Sequence, residues 1–419
     1  MAYSFEIADL ANTVLADITG IAMEKRLAPR LNRAGQVTFK TPLYGTTPTG
    51  VDVSSILLPD AGDGYPTLCT GNRRLIVKKS GTPVMNTYIW TVERAGGPND
   101  AYADVACFDP MIRWQTRWAQ DADGSIVDGV VDLLSDPDFG KPILDLPAGA
   151  VNDDALPVSG GDLIQQMIEN TIANNGPLGL TTSGGTFDTT IPPAADVSFA
   201  LTDWPTKIGD LTALLFAAGV VDVVLAPTSA AGEPMAVLSA VNQAGSDLTA
   251  TVSFDWQAGA FNASHARHVE SMDEFANVIR YFLGPRVRPN RWRGSIDATT
   301  SGITTDPTAS RSVYGDYVDF PIYDSRGTEN TVRKIYMRLF DSELAYRMVP
   351  RTTIGITPQA GVAPEPFTDY NLGDVVNCNI GSNLGLELVD AAIRVFGIDI
   401  TITDEGVERV GELLLMQDA

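Results

Sequence analysis

His265 and His268 are the only two histidines in the chain, and with Ala266 and Arg267 between them they form its one cluster with metal-like spacing. Imidazoles three apart can share a helix face, but zinc needs a third protein ligand and usually a fourth group. No cysteine is near in sequence, so the pair reads as a plain surface segment. Carboxylates are far more abundant, with groups at Asp121, Asp123 and Asp128, at Asp132, Asp136 and Asp138, and at Asp153 and Asp154. Glycosidase chemistry needs two carboxyls facing one another across a cleft, which spacing alone does not supply. Asp121 to Gly124 and Asp404 to Gly406 resemble fragments of calcium loops, yet neither carries the full ladder of oxygen ligands. The three cysteines, Cys69, Cys107 and Cys378, are widely spaced and read as small buried hydrophobes in a reducing compartment. No GxSxG, Walker A, strand-linked GxGxxG or HExxH occurs, so no catalytic residue, metal ligand or cofactor is assigned.

The one concentrated basic segment runs from Gly284 to Gly294 and holds Arg286, Arg288, Arg291 and Arg293 around Trp292. Basic residues beside an aromatic can bind single-stranded nucleic acid. The chain as a whole carries a formal charge of −23, with 52 acidic against 29 basic residues, and such a surface repels phosphate. Docking on an acidic neighbouring protein is therefore favoured over nucleic-acid binding, since Arg and Trp are common interface anchors, and a plain exposed loop is the remaining reading.

The elements that must carry these residues are mostly strands. At 419 residues and 44 % apolar content, the chain has room for two or three domains with real cores. Residues 1–115 alternate short strands with turns: Val37 and Phe39 share a face, Arg74–Lys79 meets a turn at Ser80–Pro83, and strands follow over Tyr88–Glu93 and Ala101–Phe108. Residues 116–235 differ. A helix is predicted over 162–172, with Leu163/Ile164, Met167/Ile168 and Thr171/Ile172 four apart, a cap at Asp162 and a stop at Asn174–Pro177. A second helix is predicted over 206–218, then an apolar strand from Val220 to Leu225. Residues 236–419 return to strands, with a short helix predicted around 342–348. At the end, Phe396, Ile398, Ile400 and Ile402 alternate along one face, and Asp404, Glu405 and Gly406 supply hairpin chemistry before a Leu-rich strand. The fold class is α+β, mainly antiparallel β. No run reaches the 18 or so apolar residues of a membrane span. The start of the chain lacks the basic and apolar parts of a signal peptide, so synthesis in the cytoplasm is expected.

With those residues in order, the chain resembles the siphophage tail-hub family, the minor tail proteins of actinobacteriophages related to the baseplate hub of contractile phages. The resemblance is carried by Leu31–Phe39, the hairpin segment Gly71–Gly81, Ala106–Trp114, the helix at 162–172, the Thr206–Leu214 helix with its Val221–Val224 strand, Phe275–Ile279, and Gly373-Asp374-Val375 with the final hairpin. It implies two β-barrel-like tube modules, 1–115 and 236–419, flanking the α/β middle module. It further implies a homotrimeric ring at the phage tail tip that adapts a hexameric tube and lets genome DNA pass without specific binding. Expected neighbours are distal tail and tube proteins, the tape-measure protein and other tip proteins. The competing readings are a receptor- or carbohydrate-binding tip protein and a cell-wall hydrolase.

Overall fold

Period-two burial dictates the architecture. In the computed structural model, the described residues are 3–57, 73–97, 101–118, 160–176, 178–189, 207–209, 212, 216, 221–257, 260–271, 278–283, 292–297, 319–324, 351–381, 389–404 and 406–416. Among them, the chain opens with strands β1 (Tyr3–Ala8), β2 (Val14–Asp17), β3 (Met23–Ala28) and β4 (Gln36–Pro42), one helical turn α1 (Val53–Leu57), and strands β5 (Arg74–Lys79), β6 (Thr82–Ala95) and β7 (Tyr102–Phe108). A 3-10 turn (Pro110–Gln115) leads to helix α2 (Gly160–Asn175) and strands β8 (Leu180–Thr181), β9 (Asp222–Pro227) and β10 (Ala236–Val241). Next come β11 (Ser253–Gln257), β12 (Ala260–Phe261), β13 (Ala263–Ser271), β14 (Val278–Leu283), β15 (Trp292–Asp297) and β16 (Asp319–Asp324). The chain finishes with β17 (Arg351–Pro358), β18 (Val375–Ile380), β19 (Val389–Ile402) and β20 (Glu408–Met416).

Fourteen of these strands form one curled, mostly antiparallel sheet in the order β12-β11-β18-β19-β3-β4-β7-β6-β5-β1-β2, with β20, β17 and β13 branching from β19. Its inner face is the main core. Phe5 and Ile7 from β1, Val37 and Phe39 from β4, Leu75 and Val77 from β5 and Ile398, Ile400 and Ile402 from β19 are all buried there. Each such side chain contributes about 1.5–3 kcal/mol on removal from water. The seam of the sheet is β3 against β19, with Leu27 opposite Ile400 and Arg26 opposite Thr401, so the first and last parts of the chain share one ladder.

Turn chemistry sets the registers. Ser80 (φ 51°) and Gly81 (φ 87°) both take positive φ between the paired Lys79 and Thr82, the geometry of a two-residue hairpin. At the last hairpin Thr403 N donates to Val407 O (3.0 Å), Gly406 N donates to Thr403 O (2.8 Å), and Gly406 has φ 79°. The face predicted for β19 needs one correction. Bulges interrupt its pairing with β20 between Val395 and Gly397 and between Ile398 and Ile400. Phe396 is the extra residue at the first, so it leaves the inner face, and Ile393 and Val395 take the core positions ahead of Ile398.

The smaller sheet, β8-β10-β9, packs against α2 through Ile164, Met167 and Ile168. The helix starts two residues earlier than the sequence suggested, which puts Asp162 in its first turn, where its charge favours the helix dipole. It ends where Gly176 (φ 81°) returns its amide to Ile172 O at 3.1 Å. Of the second predicted helix, Ile208, Gly209, Thr212 and Phe216 are helical, while Lys207 instead bridges to Trp118. A third sheet, β15-β14-β16, completes the described strands. The helix predicted around 342–348 lies outside the described residues.

Candidate functional site

Among the described residues, those singled out for chemistry do not converge. His265 and His268 both lie on β13, opposite Thr357 and Ile354. A strand repeats every two residues, so the shared helix face that such a pair requires does not form. His265 is exposed. The acidic groups between 121 and 154 fall outside the described residues, and Asp404 and Gly406 belong to the hairpin turn just described. Among the described residues, no three His, Cys, Asp or Glu side chains come together as a metal set. Cys107 and Cys378 are buried on β7 and β18, and burial pushes the Cys378 thiol up to about 12. Of the basic segment, Trp292 and Arg293 begin β15, paired with Leu283 and Phe282 of β14; Arg286, Arg288 and Arg291 lie outside the described residues.

What the fold does bring together is a set of buried polar junctions, and the central one is built on Asp222. Its carboxylate accepts from Asn32 Nδ2 at 2.7 Å and from the Ala244 amide at 2.9 Å, and it pairs with the guanidinium of Arg394. Arg394 also donates to Ala244 O (3.0 Å) and to Gly373 O (3.1 Å), while Asn32 Oδ1 accepts the Val223 amide at 2.8 Å. Three regions of the chain therefore meet at one carboxylate: the β3–β4 connection, the β9–β10 hairpin and β19. Both charged partners are almost wholly buried, at 7 % and 6 % side-chain exposure. A pair so desolvated holds only when its remaining donors and acceptors are satisfied.

Gly373 and Asp374, part of one segment that carries the resemblance, have a physical role beside this junction. Asp374 accepts the Asn371 and Ser246 amides, each at 2.7 Å. Gly245 (φ 87°) lies directly on the Gly373 backbone; a Cβ there would sit 2.2 Å from the Gly373 carbonyl carbon. Only glycine fits such an approach.

A second junction centres on Asn12, which takes φ 60° in the β1–β2 turn. Its Oδ1 accepts from Arg74 (2.7 Å) and Asn86 (3.0 Å), and its Nδ2 donates to the carbonyls of Glu233 (3.2 Å) and Pro234 (3.1 Å). Asn86 reaches the Thr228 carbonyl at 2.9 Å. The β9–β10 turn is thus fastened to the outer face of β5–β6. A third junction closes the curl of the sheet. Lys79 at the end of β5 meets Glu408 (2.9 Å), Glu365 (3.8 Å) and the Pro366 carbonyl (2.8 Å), and burial holds the neighbouring Tyr3 and Tyr370 hydroxyls far above the usual phenol range. Asp109 caps the 3-10 turn through the Met111 amide (2.9 Å) and accepts the Gly35 amide (2.5 Å); burial pushes its carboxyl up to about 7.

None of these junction residues was assigned a role from the sequence. A faint signal existed, since Asp222 and Arg394 are single charges inside apolar runs, Val220 to Leu225 and Ile393 to Val395. A charge at a strand position flanked by buried residues must be paired.

A curled sheet with an α/β unit beside it is also the fold of two solved tail proteins. The chain is similar over 100 % of its length to a tail protein from Neisseria meningitidis MC58, covering 97 % of that chain (TM-score 0.51, 11 % identity). It is similar over 99 % of its length to the 43 kDa tail protein of prophage MuSo2 from Shewanella oneidensis, covering 100 % of that chain (TM-score 0.50, 13 % identity). At such identities the likeness is one of fold. No family model and no curated protein sequence matches the chain.

Proposed function

We propose that this chain is a structural tail-tip hub protein of a bacteriophage, carried in the virion. It assembles as a homotrimer, and two barrel-like modules per subunit, 1–115 and 236–419 with the α/β unit around 116–235 between them, give a pseudo-sixfold ring. That ring joins a hexameric tail tube to a threefold tip. A ring of this kind closes because one patch on each subunit meets a different patch on the next. The observation that carries the reading is the end-to-end similarity of fold with two solved tail proteins, each covered at 97 % or more of its own length. The formal charge of −23 suits a passage through which DNA slides without sticking. Arg286, Arg288, Arg291, Trp292 and Arg293 serve as an interface segment toward acidic neighbours among the tube, tape-measure and other tip proteins.

Light scattering of the concentrated full chain, with negative-stain class averages of the same sample, tests the proposal. The expected result is a three-subunit mass and open-centred rings. A monomer that stays monomeric when mixed with its tube and tape-measure proteins sinks the ring.

A further inference from the structure

The apolar core inside the curled sheet and the apolar core of the α/β unit share no residue among those described. The first is built from β1, β4, β5, β19 and their neighbours. The second is built from α2, β8, β9 and β10, with Met111 and Trp114 of the 3-10 turn. Between them lie polar junctions and a small apolar contact, where the buried Tyr88 of β6 and Met235 both lie against Gly179. At one end of the β9–β10 hairpin, Asp222 is held by Asn32 and Arg394; at the other, the Thr228, Glu233 and Pro234 carbonyls are held by Asn86 and Asn12, and the Gly232 amide donates to Ala11 O at 2.6 Å. On the outer face of β5–β6 that meets this hairpin, Arg74 pairs with Tyr88 and Ile76 with Asn86, and the Arg113 guanidinium stacks on the Tyr88 ring at 4.0 Å.

We infer that the α/β unit is a separable body, seated on the sheet by the Asp222–Arg394 clamp and able to lift off and reseat while both apolar cores stay folded. An interface made of apolar side chains would expose oily surface on opening. This one exposes mainly carboxylate, guanidinium, amide and carbonyl groups, which water solvates again, and besides them Tyr88 and Met235, far fewer apolar side chains than either core holds. Opening therefore costs less than unfolding either core, which is the condition for a sub-global transition. Two features fit the pivots. Asp109 stands between β7 and the 3-10 turn, holding Gly35 on the sheet side and Met111 on the other. Gly245 (φ 87°) stands where the chain leaves β10, just before Ser246 is taken up by Asp374. The Gly245–Gly373 contact is backbone on backbone, so no side chains interlock across it.

Native-state hydrogen exchange on the full chain, in rising sub-denaturing urea, tests this. The Val223 amide is the probe, because its partner is Asn32 across the seam. It is expected to exchange about tenfold or more faster than Ile168 in α2 and Ile398 in β19, with a rate nearly independent of urea because little surface is exposed. In Arg394→Leu, the protection of Val223 is expected to fall by a further factor of about ten, with Ile168 and Ile398 changed by less than about twofold. If Val223 in the wild-type protein shares both the rate and the urea dependence of Ile398 and Ile168, the unit leaves only on global unfolding and the inference is overturned. That comparison needs no variant, so it stands even where Arg394→Leu does not fold.

Discussion

Two glycines share one backbone conformation and differ in everything else. Gly81 and Gly245 both have φ near +87°, yet a Cβ on Gly81 would meet nothing within 4 Å, while one on Gly245 would sit 2.2 Å from the Gly373 carbonyl carbon. Alanine at either position bears the left-handed penalty of about 1–2 kcal/mol. At Gly245 it must also push two backbone segments apart beside the Asp222–Arg394 pair. Gly81→Ala is therefore expected to cost about 1 kcal/mol and Gly245→Ala about 3 kcal/mol or more, a value reached only by a short list of mechanisms that includes strain and overpacking. Urea unfolding midpoints of the two variants at matched slope measure the difference; equal losses would mean that the Gly245–Gly373 approach relaxes without cost.

At the scale of elements, turns and periodicity were the legible part. Val37 with Phe39, the Ser80–Gly81 hairpin, the Thr403–Gly406 hairpin and the apolar stripe of α2 could all be read directly, because each depends on residues a few positions apart. What escaped depends on distant parts of the chain. The displacement of Phe396 comes from a bulge against β20 and from Arg30, whose side chain crosses Gly397 to reach Asp399; no local pattern announces either. The junctions join Asp222 and Asn12 to partners as much as 190 and 222 positions away, so spacing could not reveal them. A local prediction follows from a local rule. Ser80 sits at φ 51° in the first position of a two-residue turn, where Asn is favoured over Ser. Ser80→Asn is expected to stabilise the protein by a few tenths to about 1 kcal/mol, read as a raised thermal midpoint. A lowered midpoint would show that the Ser80 side chain does something in the turn beyond adopting its conformation.

Across the whole molecule, the β3–β19 ladder makes one cooperative sheet from the two ends of the chain. Phe39, 3 % exposed, packs in the same core as Ile398 and Leu413. Phe39→Ala is expected to cost about 3–5 kcal/mol. The loss should appear equally in the amide protection of β4 and of β19, although the substitution touches only the first. Protection lost in β4 alone would mean that the two ends unfold independently.

The same ladder sets a timetable for synthesis. Arg30 and Asp399 are 369 residues apart in sequence and touch in the finished sheet. At about 5–20 residues per second, the ribosome needs roughly 20–75 s to deliver β19 after β3 has emerged. Through that interval β3 has β4 on one side and a bare hydrogen-bonding edge on the other, with Leu27 awaiting Ile400. An open edge of this kind is a template for pairing with any other nascent chain. On a polysome, where many copies emerge close together, the interval between the first strand and its last partner is when this protein is most exposed to aggregation and most in need of a chaperone.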